Sequence, residues 1–269
     1  MNAVFQPAPA PLADFDLLKI QLSGPVVHIE LNRPDKRNAI SDPLVKQLHA
    51  VFSDLPSDVR AAVLSGVGDH FSAGLDLSEL ADRDVLEGIA HSRMWHAAMD
   101  QVQMAKVPVV TVLRGAVVGG GLELAAAAHI RVAEPSAFYA LPEGQRGVFV
   151  GGGGSTRLPR LIGVARMMDM MLTGRVLSAT EGQEMGISQY LVEDGQGLGM
   201  ALELAHRIAQ NAPMSNFAVI QALPRIADLS RSEGLFVESL MASIAQADEG
   251  AKERMRAFLE GRAHKVRKP

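Results

Sequence analysis

Three observations predict an α/β fold. Short apolar, β-branched runs at 26–31, 61–65 and 109–113 are bounded by glycine, proline or polar residues, as buried strands are. Longer stretches with apolar residues at helical spacing separate them, and that alternation indicates crossover connections rather than a β sandwich. From about residue 200 the strand signals cease, and helical patterns over 200–211, 214–227, 233–247 and 250–260 fill the remainder. The expected organisation is a loose tail over 1–16, an α/β core over 17–199 and a helical region over 200–269.

Taken in order, the opening residues mix apolar side chains with Pro7, Pro9 and Pro11 and lack the basic start and apolar run of a secretion signal, hence the loose tail. Asp42 before Pro43 suits a helix N-cap with proline at the first helical position, and Leu44, Leu48, Val51 and Phe52 follow at helical spacing toward a stop near Pro56. Residues 85–104 read as a longer helix carrying His91, Trp95 and Met99 four residues apart. Gly119, Gly120 and Gly121 lead into a strong helix-forming run from Leu122 to His129.

Composition narrows the function classes. At 269 residues, 48% hydrophobic and 21% charged, the chain can bury one sizeable core. A net charge of -4 and a pI near 6.1 supply no broad basic field, so neither nucleic acid nor an anionic membrane is an expected partner. The apolar stretch 107–118 is broken by Pro108, Arg114 and Gly115, short of a membrane helix. With no cysteine there is no disulfide, thiolate nucleophile or cysteine-held metal, which fits the cytoplasm. The eight histidines are scattered without H-E-x-x-H, so no metal is expected and the histidines read as structural or exposed. No phosphate loop and no G-x-S-x-G occurs.

Three segments carry chemistry: Phe71-Ser72-Ala73-Gly74-Leu75-Asp76-Leu77, then Gly119-Gly120-Gly121-Leu122-Glu123-Leu124, then Leu141-Pro142-Glu143 followed by a glycine-rich run to Leu158. Singly, each has a bland explanation, glycines for tight turns and glutamates for solvated faces. Yet the glycine amides at 119–121 lie at a helix N-terminus, where developing negative charge is favoured, and without side chains they admit a close carbonyl. Leu75 is placed to offer a second amide. Glu123 sits in the first turn of an otherwise apolar helix, where a carboxylate is costly without a role. Spacing alone cannot bring Glu143 to it.

In this order the segments resemble the enoyl-CoA hydratase/isomerase family, the crotonase superfamily, from about Leu17 to the C-terminus. Residues 31–39, reading LNRPDKRNA, resemble the loop that touches coenzyme A. The resemblance implies a spiral of repeated ββα units followed by an α-helical trimerisation region. It also implies an oxyanion hole from the backbone N–H groups of Leu75 and Gly120, with Glu123 and Glu143 as catalytic acids. Contacts to the coenzyme A moiety are implied for Arg37, Ala39, Ala73, Leu75, Phe258 and Lys265. With Met94, the stripe of His91, Trp95 and Met99 could cover the acyl chain, although such a stripe is more often simply core. The coenzyme belongs to the substrate, so no further cofactor is expected, and the implied assembly is a homotrimer or homohexamer.

Both glutamates favour a hydratase acting on an α,β-unsaturated acyl-CoA. Dienoyl-CoA isomerases of the superfamily carry aspartates where this chain has Glu123 and Gly151, and hydroxycinnamoyl-CoA hydratase-lyases use tyrosines absent just after Leu77. An isomerase, a hydratase-lyase and a catalytically silent scaffold or RNA-binding relative are the alternatives. Two departures bear on substrate choice: Val150 replaces a proline usual before the glycine run, which should loosen the loop beside Glu143, and Leu75 replaces a common alanine.

Overall fold

The structure, a computed structural model, describes residues 5–10, 12–79 and 83–262 and divides into two compact units after Ala209. In the first unit the strands are β1 (Gln6–Pro7), β2 (Leu18–Ser23), β3 (Val26–Leu31), β4 (Ala61–Gly66), β5 (Val109–Leu113), β6 (Ala116–Val118), β7 (Ile130–Ala133), β8 (Phe138–Ala140), β9 (Leu177–Ser178) and β10 (Tyr190–Leu191). Its helices are α1 (Asp42–Ser53), α2 (Val85–Gln103), α3 (Gly120–Ala127), α4 (Gly154–Ile162), α5 (Val164–Thr173), α6 (Ala179–Met185) and α7 (Gly197–Ala209). The larger sheet has the order β1-β2-β3-β4-β5-β7-β10, antiparallel as far as β3 and parallel thereafter. The smaller has the order β6-β8-β9.

The chain visits the two sheets alternately. After β5 it turns at Arg114-Gly115 and runs on as β6, and after β7 it runs on as β8, parallel to β6. Single-residue parallel bridges continue this inner row, Ser72 against Val117 and Ile40 against Leu75. Each circuit thus contributes an outer strand, an inner segment and a helix, the spiral that the resemblance implies.

Period-two alternation divides the core. Val26, Ala61, Val63, Val110, Val112 and Val132 face one side of the large sheet, where Ala201, Leu202, Leu204 and Ala205 of α7 cover them. Val27, Ile29, Leu31, Ala62 and Leu64 face the other, with Leu44, Leu48, Val51 and Phe52 of α1 and the apolar face of α3 in the same cluster. A boundary at 199/200 would cut α7, whose apolar stripe completes the first unit.

Two further expectations are corrected. The described part of the tail is not loose: β1 pairs with β2, the Ala8 amide donates to the Ile20 carbonyl, and Ala8 and Leu12 are buried in the core. The N-cap of α1 is Ser41, whose Oγ accepts from the Leu44 amide, so Asp42 is the first helical residue.

The second unit holds α8 (Pro213–Phe217), a π turn (Ala218–Ala222), α9 (Leu223–Asp228), α10 (Arg231–Ala247) and α11 (Glu249–Leu259). The wide turn precedes Pro224, which has no N–H for a regular helical bond. Among the described residues no helix is long and apolar enough to cross a membrane.

Gly115 makes the spiral possible at the β5–β6 corner. Its φ is +51°, and a Cβ there would lie 2.2 Å from the Asp69 carbonyl oxygen and 2.3 Å from His70 Nδ1. Gly115→Ala is expected to destabilise the protein by at least about 2 kcal/mol, read from denaturant unfolding; an unchanged midpoint would refute this account of the corner.

Candidate active site

The inner row of short segments aims backbone groups at one place. Ile40 donates its amide to the Gly74 carbonyl and accepts from the Asp76 amide, so the bridge uses the residues flanking Leu75 and leaves the Leu75 N–H directed away from it. On the next circuit Gly119, with φ +51°, ends β6 and caps α3, and the Gly120 amide is an orphan donor of the first helical turn. A Cβ built on Gly74 would lie 3.4 Å from the Gly120 nitrogen, and one on Gly120 would lie 3.5 Å from the Leu75 nitrogen, so the two amides are neighbours. Side chains here would collide: a Cβ on Gly119 would meet Glu143 Oε1 at 2.6 Å and one on Gly120 the Trp95 ring at 2.8 Å.

Glu123 lies one turn into α3 with 3% of its surface exposed. Its Oε1 accepts from the amides of Gly152 at 2.9 Å and Gly154 at 2.7 Å. Burial pushes its carboxyl above the usual range, and these amides together with the charge of Arg157 oppose the push. The loop approaches so closely that a Cβ on Gly154 would lie 2.7 Å from Glu123 Cγ. Val150 in place of a proline was expected to loosen this loop, and hydrogen bonds tie it down instead. Ser92 donates to the Gly151 carbonyl at 2.7 Å, and buried Arg157 donates to the Gly152 carbonyl at 3.0 Å while reaching Gln103 and Asp100 on α2.

Glu143 begins the short turn after β8, half-buried, with its Oε2 lacking any partner among the described residues. Burial raises its carboxyl, and the nearby Glu123 charge adds to the rise while its own amide and Arg146 oppose it. The two carboxyls therefore share an environment that disfavours charge, but only Glu123 is held by the amides of a facing loop.

A single cavity of about 760 Å³ joins these groups. Ala73, Leu75, Gly120, Glu123 and Glu143 all line it, together with His91, Ser92 and Trp95 of α2 and Val148 and Phe149 from the loop after Glu143. The α2 stripe divides: His91 and Trp95 face the cavity, Met99 is fully buried in the core and Met94 lies partly buried against it. His91 is thus neither a core residue nor a freely exposed one.

The expected coenzyme contacts are brought together in part. The Arg37 carbonyl accepts from the Ala73 amide, placing the 31–39 loop beside the cavity, although Arg37 and Ala39 do not line it. Phe258 is half-exposed on α11 in the second unit. Lys265 lies outside the described residues. Sequence reasoning missed Asp76, which is buried and bridges Arg33 at 2.7 Å and Lys36 at 3.1 Å, strapping that loop to the Leu75 segment. The Ser78 hydroxyl, with these cations, holds its carboxyl well below the usual range. An acid after Leu75 and two cations in 33–36 were visible, but their pairing across forty residues was not.

The family model for enoyl-CoA hydratase/isomerase matches residues 21–268. A solved structure from Rhodopseudomonas palustris, of a protein assigned provisionally as an enoyl-CoA hydratase, is 61% identical with a TM-score of 0.90, covering 94% of this chain and 98% of that one. The enoyl-CoA hydratase structure from Bacillus anthracis is 30% identical with a TM-score of 0.86, covering 92% and 97%. The short-chain-enoyl-CoA hydratase of Clostridium acetobutylicum is 29% identical, covering 90% and 94%. The chain belongs to the enoyl-CoA hydratase/isomerase family.

Proposed function

We propose that the protein is an enoyl-CoA hydratase, adding water across the 2,3 double bond of an α,β-unsaturated acyl-CoA to give a 3-hydroxyacyl-CoA. The observation that carries this reading is the convergence of one buried and one half-buried carboxyl and two neighbouring backbone amides on one cavity. The Leu75 and Gly120 amides receive the thioester oxygen, which becomes enolate-like as water attacks, and a donor of this kind is worth roughly 2.7–4 kcal/mol in the transition state.

The different environments of the carboxyls support different roles. Glu123, with Oε1 held by two amides and Arg157 behind the loop, is the better anion and takes a proton from the attacking water through Oε2. Glu143, without a donor at Oε2 and beside a like charge, keeps its proton and delivers it to the α-carbon. Hydroxyl adds to the β-carbon and hydrogen to the α-carbon, leaving the pair with one proton, shifted from Glu143 to Glu123 until it is returned.

No cofactor beyond the coenzyme A of the substrate is called for, and Arg37, at an exposed left-handed position beside Ala73, would meet its phosphates. Phe258 and Lys265 are further candidates for the coenzyme end. The proposal places the enzyme in the cytoplasm. It also includes a homotrimer or hexamer, supported by the row of exposed Phe236, Leu240 and Ile244 along α10.

Glu123→Gln and Glu143→Gln are each expected to lower kcat with crotonyl-CoA by about a hundred- to ten-thousandfold while the fold persists, followed by loss of the conjugated thioester absorbance. A wild-type rate in either variant would sink the assignment. The raised carboxyl of Glu143 favours the native state below the carboxylate range, and that contribution disappears as pH rises through its elevated pKa. Thermal unfolding of Glu143→Gln should therefore show a higher Tm than wild type at pH 8, with the gap closing toward pH 4. Light scattering after size exclusion should give three or six times the 28.7 kDa chain mass; a monomer would remove the assembly from the proposal.

A further inference from the structure

His91, Asp42 and Arg83 form a cluster that the hydration mechanism does not use. His91 lines the cavity, its Nε2 lies 2.7 Å from Asp42 Oδ1, and the other carboxylate oxygen of Asp42 is 3.4 Å from Arg83 Nη2. The capping box of Asp84 and Glu87 fixes the start of α2, with His91 in its second turn, and Asp42 sits in the first turn of α1, so both residues of the contact are carried on helices. A cavity wall that also presents Leu77, Trp95, Val148 and Phe149 would hold an alkyl chain without such a cluster.

Its position defines what it can touch. Trp95 packs over Gly120, and the His91 and Trp95 rings are 6.0 Å apart, one helical turn along α2. Four residues of helix advance about 6 Å, so His91 lies one helical turn along the cavity wall from the ring that covers Gly120.

Its chemistry defines what it would accept. A carboxylate only accepts, so Nε2 carries the hydrogen toward Asp42 and Nδ1 remains for a ligand. In the neutral ring Nδ1 is an acceptor, and in the charged ring it is a donor. A hydroxyl group can partner either form. A methyl terminus partners neither and strips Nδ1 of water. A terminal carboxylate would suit only the charged ring, and Asp42 stands behind it with its own charge already matched by Arg83.

We propose that His91, positioned by Asp42, selects acyl-CoA thioesters that carry a hydroxyl group at the distal end of the acyl chain, aliphatic or phenolic. The proposal rests on the acyl-CoA reading of the cavity and adds a specificity-determining residue to it.

The test uses calorimetric binding of saturated thioesters, which cannot be hydrated, in matched pairs. One pair is 6-hydroxyhexanoyl-CoA against hexanoyl-CoA; the other is 3-(4-hydroxyphenyl)propanoyl-CoA against 3-phenylpropanoyl-CoA. The wild-type protein should bind the hydroxylated member of at least one pair about tenfold or more tightly, and the pair that responds tells the aliphatic from the phenolic source. His91→Leu should abolish that preference, and Asp42→Asn, which keeps the helix and the ring but loosens the tether, should reduce it severalfold. Equal affinities within both pairs, or a preference that survives both substitutions, would overturn the proposal. Crotonyl-CoA turnover by the wild-type protein judges the hydratase reading separately, because ligand preference here is measured without turnover.

Discussion

The amides of Gly152 and Gly154 hold one oxygen of a carboxylate that the fold has removed from water, and much of the α/β unit is arranged around what that hold requires. The loop must come within contact of Glu123, so it is glycine. A glycine loop has little rigidity of its own, so Ser92 and Arg157 tie its carbonyls to α2 and α4. Arg157 in turn needs partners for its charge, and the last turns of α2 supply Gln103 and Asp100. A nineteen-residue α2 therefore serves the carboxylate at one end and the cavity wall at the other.

The same layout gives two glutamates so close in kind different surroundings. Burial raises both, which alone would leave them equivalent. Backbone dipoles break the tie, because they are present at Glu123 Oε1 and absent at Glu143 Oε2. Amide dipoles keep their orientation throughout a reaction, so the difference needs no rearrangement as charge develops on the substrate.

Much of this was legible in the sequence, and the part that was not has a common cause. The central strands and the glycine-led helix announced themselves through local patterns, β-branched runs for Val26–Leu31 and Val109–Leu113 and a helix-forming run after Gly121. Local pattern also misled. Three prolines made residues 1–13 look unstructured, yet Ala8 and Leu12 find a core supplied by distant residues. Asp42 looked like a cap because proline followed it, but Ser41 does the capping and leaves Asp42 to face His91. Asp76 with Arg33, Arg157 with Asp100 and His91 with Asp42 are separated by 43, 57 and 49 residues, and no periodicity reports such partners.

The bridge between Ile40 and Leu75 has an evolutionary side. Along a parallel pairing, amides point alternately to one neighbour and the other, so the direction of the Leu75 N–H is a matter of odd or even count. Losing or gaining one residue within the paired stretch 72–76 would not shift the Leu75 amide by degrees; it would turn it around. The cavity wall contributed by α2 obeys no such parity, and its side chains can change one at a time. Lineages built on this scaffold can therefore drift in what the cavity wall presents while the direction of the amides stays locked in place, because the two properties are written in different geometric alphabets.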